Sequence, residues 1–156
     1  PRGDKHDAKH AKRKNSMSII RLFILAVFVA VLSSCATTVR FPVSRIAPAA
    51  DGAVKIRKDK NNNYQIAVNV KHLANPDRLT PPGSVYVVWA ETDEGITKNI
   101  GRLISSKSNK GAMKTATPFN PVKVFITVEE EGTVTYPGNR ELFRTEQFRV
   151  KSFKLF

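Results

Sequence analysis

Ser84 to Glu91, SVYVVWAE, contains the longest unbroken apolar run in the second half of the chain. Valine, tyrosine and tryptophan are enriched in strands, and an apolar run of this length between turn residues indicates a buried strand. We therefore expect a central strand here, with Trp89 as the largest core side chain. Thr92 to Gly95 predicts a hairpin turn, and residues 96–104 predict the partner strand, with Gly101 at a bulge.

Alternation of apolar with polar residues predicts further strands on both sides. Val54 and Ile56 alternate with basic residues before a polar turn, and residues 64–71 alternate throughout. Residues 122–129 repeat this pattern, residues 112–117 fit a short strand, and residues 142–153 predict one or two last strands. The three prolines within residues 74–83 exclude a helix there.

About seven strands separated by turn signals, without an amphipathic helix, are typical of an antiparallel sandwich. We therefore predict an all-β fold, in which residues 52–156 form a single immunoglobulin-like β-sandwich domain. A signal-peptide helix is expected to precede it. Roughly 120 residues beyond the cysteine are enough for one hydrophobic core and too few for two.

An apolar run of eleven residues, Leu22 to Leu32, lies ahead of this domain. A helix needs about 20 apolar residues to span a bilayer, whereas blocks of about 7–15 behind a positive flank are typical of signal peptides. With Met17 as a start, residues 17–34 are predicted to be a signal peptide. Residues 1–16 are basic and too polar to order, so they are either a disordered leader or upstream translation.

Leu32, Ser33, Ser34 and Cys35 end the apolar run, and this tetrapeptide resembles the bacterial lipobox. The resemblance implies that Cys35 receives a diacylglycerol, that cleavage occurs before it, and that its new amino group is acylated, for example by palmitate. Residues 35–51 would then be the lipidated cysteine and a tether, in which the short apolar stretch Val39 to Val43 could still pack along a sheet edge. A cell-envelope location follows, in the outer membrane if the host has one, because Ala36 is not the aspartate that favours inner-membrane retention. A plain secretory signal with a chance cysteine, or an uncleaved anchor, are the alternatives.

The chain is strongly basic, with a formal net charge of +13 from 26 basic and 13 acidic residues. From Cys35 onward, 19 basic and 11 acidic residues leave +8. This balance favours contact with an anionic lipid or glycan and identifies no specific nucleic acid. One hypothesis is a basic strip for anionic surfaces near the carboxyl end, formed by Arg144, Arg149, Lys151 and Lys154. The alternative is an ordinary strand with a solvated basic face.

Residues that could support catalysis or metal binding are scarce. His72 is the single histidine beyond Cys35, and a metal site needs three or four converging donors. No Gly-x-Ser-x-Gly motif presents a serine such as Ser84, and the consecutive glutamates 129–131 would alternate sides on a strand. We therefore predict no enzyme, no metal and no cofactor apart from the covalent lipid on Cys35.

Two segments, YVVWAETDEGITKNIGRL and VFITVEEEGTVTYPG, resemble the extracytoplasmic β-sandwich of anti-sigma-K-type factors. The matching positions are Tyr86, Trp89, Gly95, Gly101, Thr127, Glu129, Pro137 and Gly138. The resemblance implies a sandwich that binds or senses outside the cytoplasm. Those factors also carry a cytosolic helical sigma-binding domain and a full membrane helix, whereas this chain has a short leader and a lipobox.

These observations predict a membrane-anchored bacterial envelope lipoprotein with a non-catalytic β-sandwich binding domain. Its partners would be the membrane, through the lipid anchor, and an envelope protein or an anionic glycan or lipid. The alternative function is an envelope-sensing signalling accessory related to the anti-sigma factor domain.

Overall fold

The computed structural model describes residues 36–151, which form eight antiparallel strands and almost no helix. Cys35, Lys154, the predicted signal-peptide helix and the leader lie outside the described residues. The strands are β1 (Thr37–Arg40), β2 (Asp51–Lys58), β3 (Tyr64–Lys71), β4 (Val85–Thr92), β5 (Thr97–Ser106), β6 (Lys110–Thr117), β7 (Pro121–Glu129) and β8 (Glu141–Arg144). A single 3₁₀ turn, Pro76–Arg78, interrupts the proline-rich loop before β4.

The strands form one continuous sheet in the order β1-β2-β3-β6-β5-β4-β7-β8. The all-β antiparallel class is therefore confirmed, but the sheet is a curled half-barrel and not two clearly separate layers. The reason is β5, whose ten residues reach both neighbours: residues 97–103 pair with β4, and residues 104–106 pair with β6. The strand count rises to eight because the segment predicted as a tether contributes β1, which pairs with β2.

A single main core fills the inside of the curl. Alternate residues of the strands point inward, so Ile56, Val68 and Val88 are fully buried from water. The two edge strands approach each other at the open seam, where the rings of Phe41 and Phe143 stack with centroids 4.9 Å apart. Phe41 follows β1, so the chain just beyond Cys35 is joined to the domain core.

The predicted bulge lies at Gly101. Val88 pairs with Gly101 and Trp89 with Asn99, so the register shifts by one residue between these pairs. Gly101 has a φ of +130°, a backbone conformation that residues with a Cβ rarely adopt. Its N–H donates to Asn99 Oδ1 at 3.0 Å, which replaces the ladder bond that the bulge interrupts.

The last strand is shorter than predicted, because β8 ends at Arg144. Beyond it the backbone still follows β7: Thr145 N donates to Val124 O at 3.0 Å and Phe148 N to Val122 O at 2.9 Å. Phe148 is buried and Arg149 exposed, as alternation predicts. Among residues 36–151 the structure has no helix with the length and apolar character needed to cross a membrane.

Candidate functional site

Trp89 is buried, but it lies outside the main core. With Val87 and Phe125 it forms a second apolar cluster on the outer face of β4 and β7. The β7–β8 loop covers this cluster with Val134. Asn99 Nδ2 donates to the carbonyls of Gly132 at 3.1 Å and Val134 at 2.9 Å, which fixes the loop against β5.

A hydrogen-bonded chain runs from Trp89 to the end of the same loop. Trp89 Nε1 donates to Thr127 Oγ1 at 2.8 Å, and Thr127 Oγ1 donates to Glu129 Oε1 at 2.5 Å. Gly138 N donates to the same carboxylate oxygen at 2.7 Å. Four positions of the anti-sigma-like segments thus meet in one network. Every polar group in it has a partner, so the network stabilises the loop and offers no open site.

The hypothesised basic strip is not a single free surface. The Arg144 guanidinium lies 3.9 Å from the centroid of the Phe125 ring and contacts Glu141 at 2.7 Å and Glu91 at 3.5 Å. Arg149 and Lys151 are exposed, and Lys151 N donates to Thr37 Oγ1, beside β1. Arg144 is therefore part of a local ion-pair cluster, while Arg149 and Lys151 remain available to solvent.

An open cleft of about 620 Å³ lies at the seam between the two edges of the sheet. It is lined by residues 42–46, residues 80–81 and residues 139–144. The side chains of Val43 and Ile46 at this cleft are 79% and 38% exposed, so a ligand in the cleft could contact both. Pattern reasoning missed the cleft because it treated residues 35–51 as a tether, although Val43 and Ile46 were visible as apolar residues there.

Arg140 and Arg45 both line the cleft, but their guanidinium groups make different contacts. Arg140 donates to the carbonyls of Pro82, at 3.0 Å, and Pro81, so its guanidinium ties the proline-rich loop to the start of β8. Arg45 is exposed, and no carboxylate among residues 36–151 lies within 4.0 Å of it. Arg140 likewise has no carboxylate within 4.0 Å among residues 36–151. A ligand in the cleft would therefore meet apolar side chains and two positive charges that no ion pair compensates.

Tyr86 lies beneath this region and has a perturbed pKa. Its hydroxyl donates to Ala74 O at 2.8 Å. Burial raises the pKa of Tyr86 to about 12, with a further contribution from Asp77 and opposition from Arg140. The pKa of Asp59, in the β2–β3 turn, is lowered mainly by the hydrogen bond from Gln65. Both shifts move the pKa of the group further from neutral pH.

His72 and Ser84, which were considered for catalysis, do not line the cleft. His72 is exposed just beyond β3 with a φ of +54°. The Ser84 hydroxyl donates to Glu130 at 2.9 Å, and Ser106 bonds Ser108. Within residues 36–151, no three histidine, cysteine or acidic side chains are grouped to hold a metal ion.

No protein-family model, curated protein or solved structure matches this chain. The assignment of function therefore rests on the sequence motif at Cys35 and on the geometry of the domain that follows it.

Proposed function

We propose that this protein is a bacterial envelope lipoprotein, anchored by acyl groups on Cys35, whose β domain acts by binding. The observation that carries the proposal is the position of the lipobox-like residues 32–35 directly before the folded domain. Strand β1 begins at Thr37, so cleavage before Cys35 would leave the domain whole and remove only residues ahead of it. Two or three acyl chains suffice for stable attachment to a bilayer.

The cleft at the seam is the binding site that fits this function best. Exposed Val43 and Ile46 supply apolar contact, and Arg45 supplies a positive charge for an anionic group. We assign no catalytic residue to it. At the finer level of fold, we propose that the curled sheet is a variant of the immunoglobulin-like sandwich in which β5 links the two halves.

The anchor is tested by mass spectrometry of the chain recovered from bacterial membranes. The proposal expects a mature amino terminus at Cys35 that carries a diacylglyceryl thioether and an amide-linked acyl group. A Cys35→Ala variant should lose both modifications and leave the membrane fraction after cleavage. A wild-type terminus without lipid would overturn the anchor and favour a plain secretory signal.

A second candidate is an envelope-sensing signalling accessory. It is favoured by the convergence of Trp89, Thr127, Glu129 and Gly138, the resemblance positions, in one network. Photoreactive residues at Val43 and Ile46, with Lys107 as a matched exposed control, would separate the two roles by in-cell crosslinking. A single membrane protein captured from the cleft positions would support the accessory. Capture of glycan or small molecules would support the first proposal.

A further inference from the structure

The outer face of β1, β2, β3 and β6 is strongly basic. The sequences of these four strands contain a single acid, Asp51. Six lysine and arginine side chains project from the outer face, because they alternate with buried residues along each strand: Arg40, Lys55, Arg57, Lys71, Lys110 and Lys114. Chain order conceals this arrangement, since β6 follows β5 in sequence but pairs with β3 in space.

Strand register aligns these side chains in rows across the face. Lys55 and Lys114 lie on either side of Ala67. Lys71 lies opposite Asp51 on β2 and opposite Lys110 on β6. The intervening alanine is too small to cover the ammonium groups. Like charges on directly opposed strand positions destabilise a sheet. The stability of the fold therefore does not explain why lysines occupy these positions.

Few acidic side chains compensate the charges on this face: Asp51 lies opposite Lys71, and Arg57 is near Asp59, whose pKa it helps to lower. Arg40 lies 3.8 Å from Asp51, and this is the only ion pair that any of the six makes within residues 36–151. By contrast, the basic residues of β7 and β8, Lys123 and Arg144, are both paired with Glu91. The outer face of β1, β2, β3 and β6 therefore carries more unpaired positive charge than strands β7 and β8 do.

An exposed apolar side chain lies on the same face. Ile104 of β5 is 76% exposed and pairs with Ala112 of β6, so both project outward beside the lysines. An exposed isoleucine surrounded by basic residues fits a bilayer surface, where anionic head groups lie above apolar acyl chains.

We propose that this face lies on the anionic phospholipid head groups of the bilayer that holds the anchor. The inference rests on the proposed acylation of Cys35. One residue, Ala36, separates Cys35 from β1, the edge strand of the face, so the anchor holds that edge within about 7 Å of the lipid. Each lysine or arginine near an anionic leaflet strengthens binding about fivefold, and the six together fix the domain's orientation.

The first experiment compares lysine accessibility on two membranes. The full chain, recovered from bacterial membranes, is reconstituted into phosphatidylcholine vesicles with or without phosphatidylglycerol. A membrane-impermeant amine reagent then labels exposed lysines for mass spectrometry. The four lysines of the face should label at least about fivefold more slowly on the anionic vesicles: Lys55, Lys71, Lys110 and Lys114. Labelling of Lys98, which pairs with β4 on another part of the sheet, should not change. This protection should vanish in 1 M salt, where the Debye length is about 3 Å.

The second experiment separates this face from net charge. A triple variant of Lys55, Lys110 and Lys114 to Gln should lose the protection of Lys71. A matched triple variant of Arg78, Lys98 and Arg149 to Gln removes the same charge from exposed positions outside this face and outside the cleft, and it should retain the protection of Lys71. The inference would be overturned if both variants lost the protection of Lys71 equally, or if the lysines of the wild type labelled equally fast on both kinds of vesicle. If soluble heparin protected the lysines from labelling and anionic vesicles did not, the inference would also be overturned, and a glycan would be the favoured ligand.

The mass spectra also report the state of Cys35. Acylated Cys35 with no lysine protection would reject the inference and leave the proposed function standing. Unmodified Cys35 with full protection would reject the lipid anchor and retain the basic face as a membrane contact.

Discussion

Lys71 and Lys110 lie directly opposite each other on neighbouring strands β3 and β6, and both side chains project to solvent. Like charges at directly opposed positions repel by roughly 0.2–1 kcal/mol. We therefore predict that Lys110→Thr raises the free energy of unfolding by about this amount at low salt. Chemical denaturation of the domain beginning at Ala36 measures the change, and a double-mutant cycle with Lys71→Thr isolates the repulsion.

Lys107→Thr is the matched control, because Lys107 lies in the adjoining β5–β6 turn and faces no strand partner. It should change stability by less than about 0.5 kcal/mol. The gain from Lys110→Thr should shrink in 1 M salt, since the repulsion is exposed and screened. A gain that is independent of salt would instead reflect the higher strand propensity of threonine.

Local patterns predicted the strands well where burial alternates along one segment. Residues 64–71 and 122–129 are β3 and nearly all of β7, and the bulge at Gly101 is present because a glycine inside a strand marks such a site. The strands predicted over residues 96–104 and 112–117 leave a longer connection than the structure has, since β5 extends to Ser106 and β6 begins at Lys110.

Features that depend on distant contacts were predicted only in part, as for the edge packing of residues 39–43, or not at all. Strand β1 has little apolar character, and it forms because β2 pairs with it and Phe41 stacks on Phe143. Trp89 was expected in the core, but whether a strand residue faces inward depends on register and on the loop that covers the other side. The cleft and the basic face likewise need strand order, which alternation alone does not contain.

The Trp89–Thr127 bond should be important for stability. Thr127→Val keeps the side-chain shape but removes the acceptor for the buried indole N–H and the donor to Glu129. An unsatisfied buried donor costs about 1–3 kcal/mol, so we expect a loss of that size in the free energy of unfolding. Denaturation followed by tryptophan fluorescence measures it.

Thr127→Ser supplies the control, because serine retains the hydroxyl and loses only a methyl group. It should recover most of the loss and restore the native tryptophan spectrum. Equal destabilisation by valine and serine would show that side-chain volume, and not the hydrogen bond, determines stability at Thr127.

Arg144 is expected to stabilise the domain, whereas Arg149 is not. Arg144→Gln removes the contact with the Phe125 ring and the ion pairs with Glu91 and Glu141. Because these groups are partly exposed, we expect a loss of only about 1–2 kcal/mol in the free energy of unfolding. Arg149→Gln removes the same charge from an exposed side chain and should change stability by less than about 0.5 kcal/mol. Equal losses would contradict the assignment of Arg144 to the ion-pair cluster.

Tyr86 should make stability fall in alkaline solution. Its pKa is raised to about 12 in the folded domain, whereas an unfolded tyrosine ionises near pH 10. Between these values the unfolded state releases the proton first, so rising pH favours unfolding. The contribution of protonated Tyr86 to the free energy of unfolding is fully present below about pH 10 and is lost as the pH rises toward 12. The total loss is up to about 3 kcal/mol.

Tyr86→Phe tests this dependence. The variant cannot ionise at this position, so its free energy of unfolding should decline less steeply than that of the wild type between about pH 10 and 12. Lysine side chains also titrate in this range, but they affect both proteins alike. At neutral pH it should lose about 1 kcal/mol, because the Ala74 carbonyl loses its donor. Tyr136→Phe is the matched control, since Tyr136 is 83% exposed, and it should leave the alkaline profile unchanged. Parallel profiles for wild type and Tyr86→Phe would show that Tyr86 ionises as readily in the folded domain as in the unfolded chain.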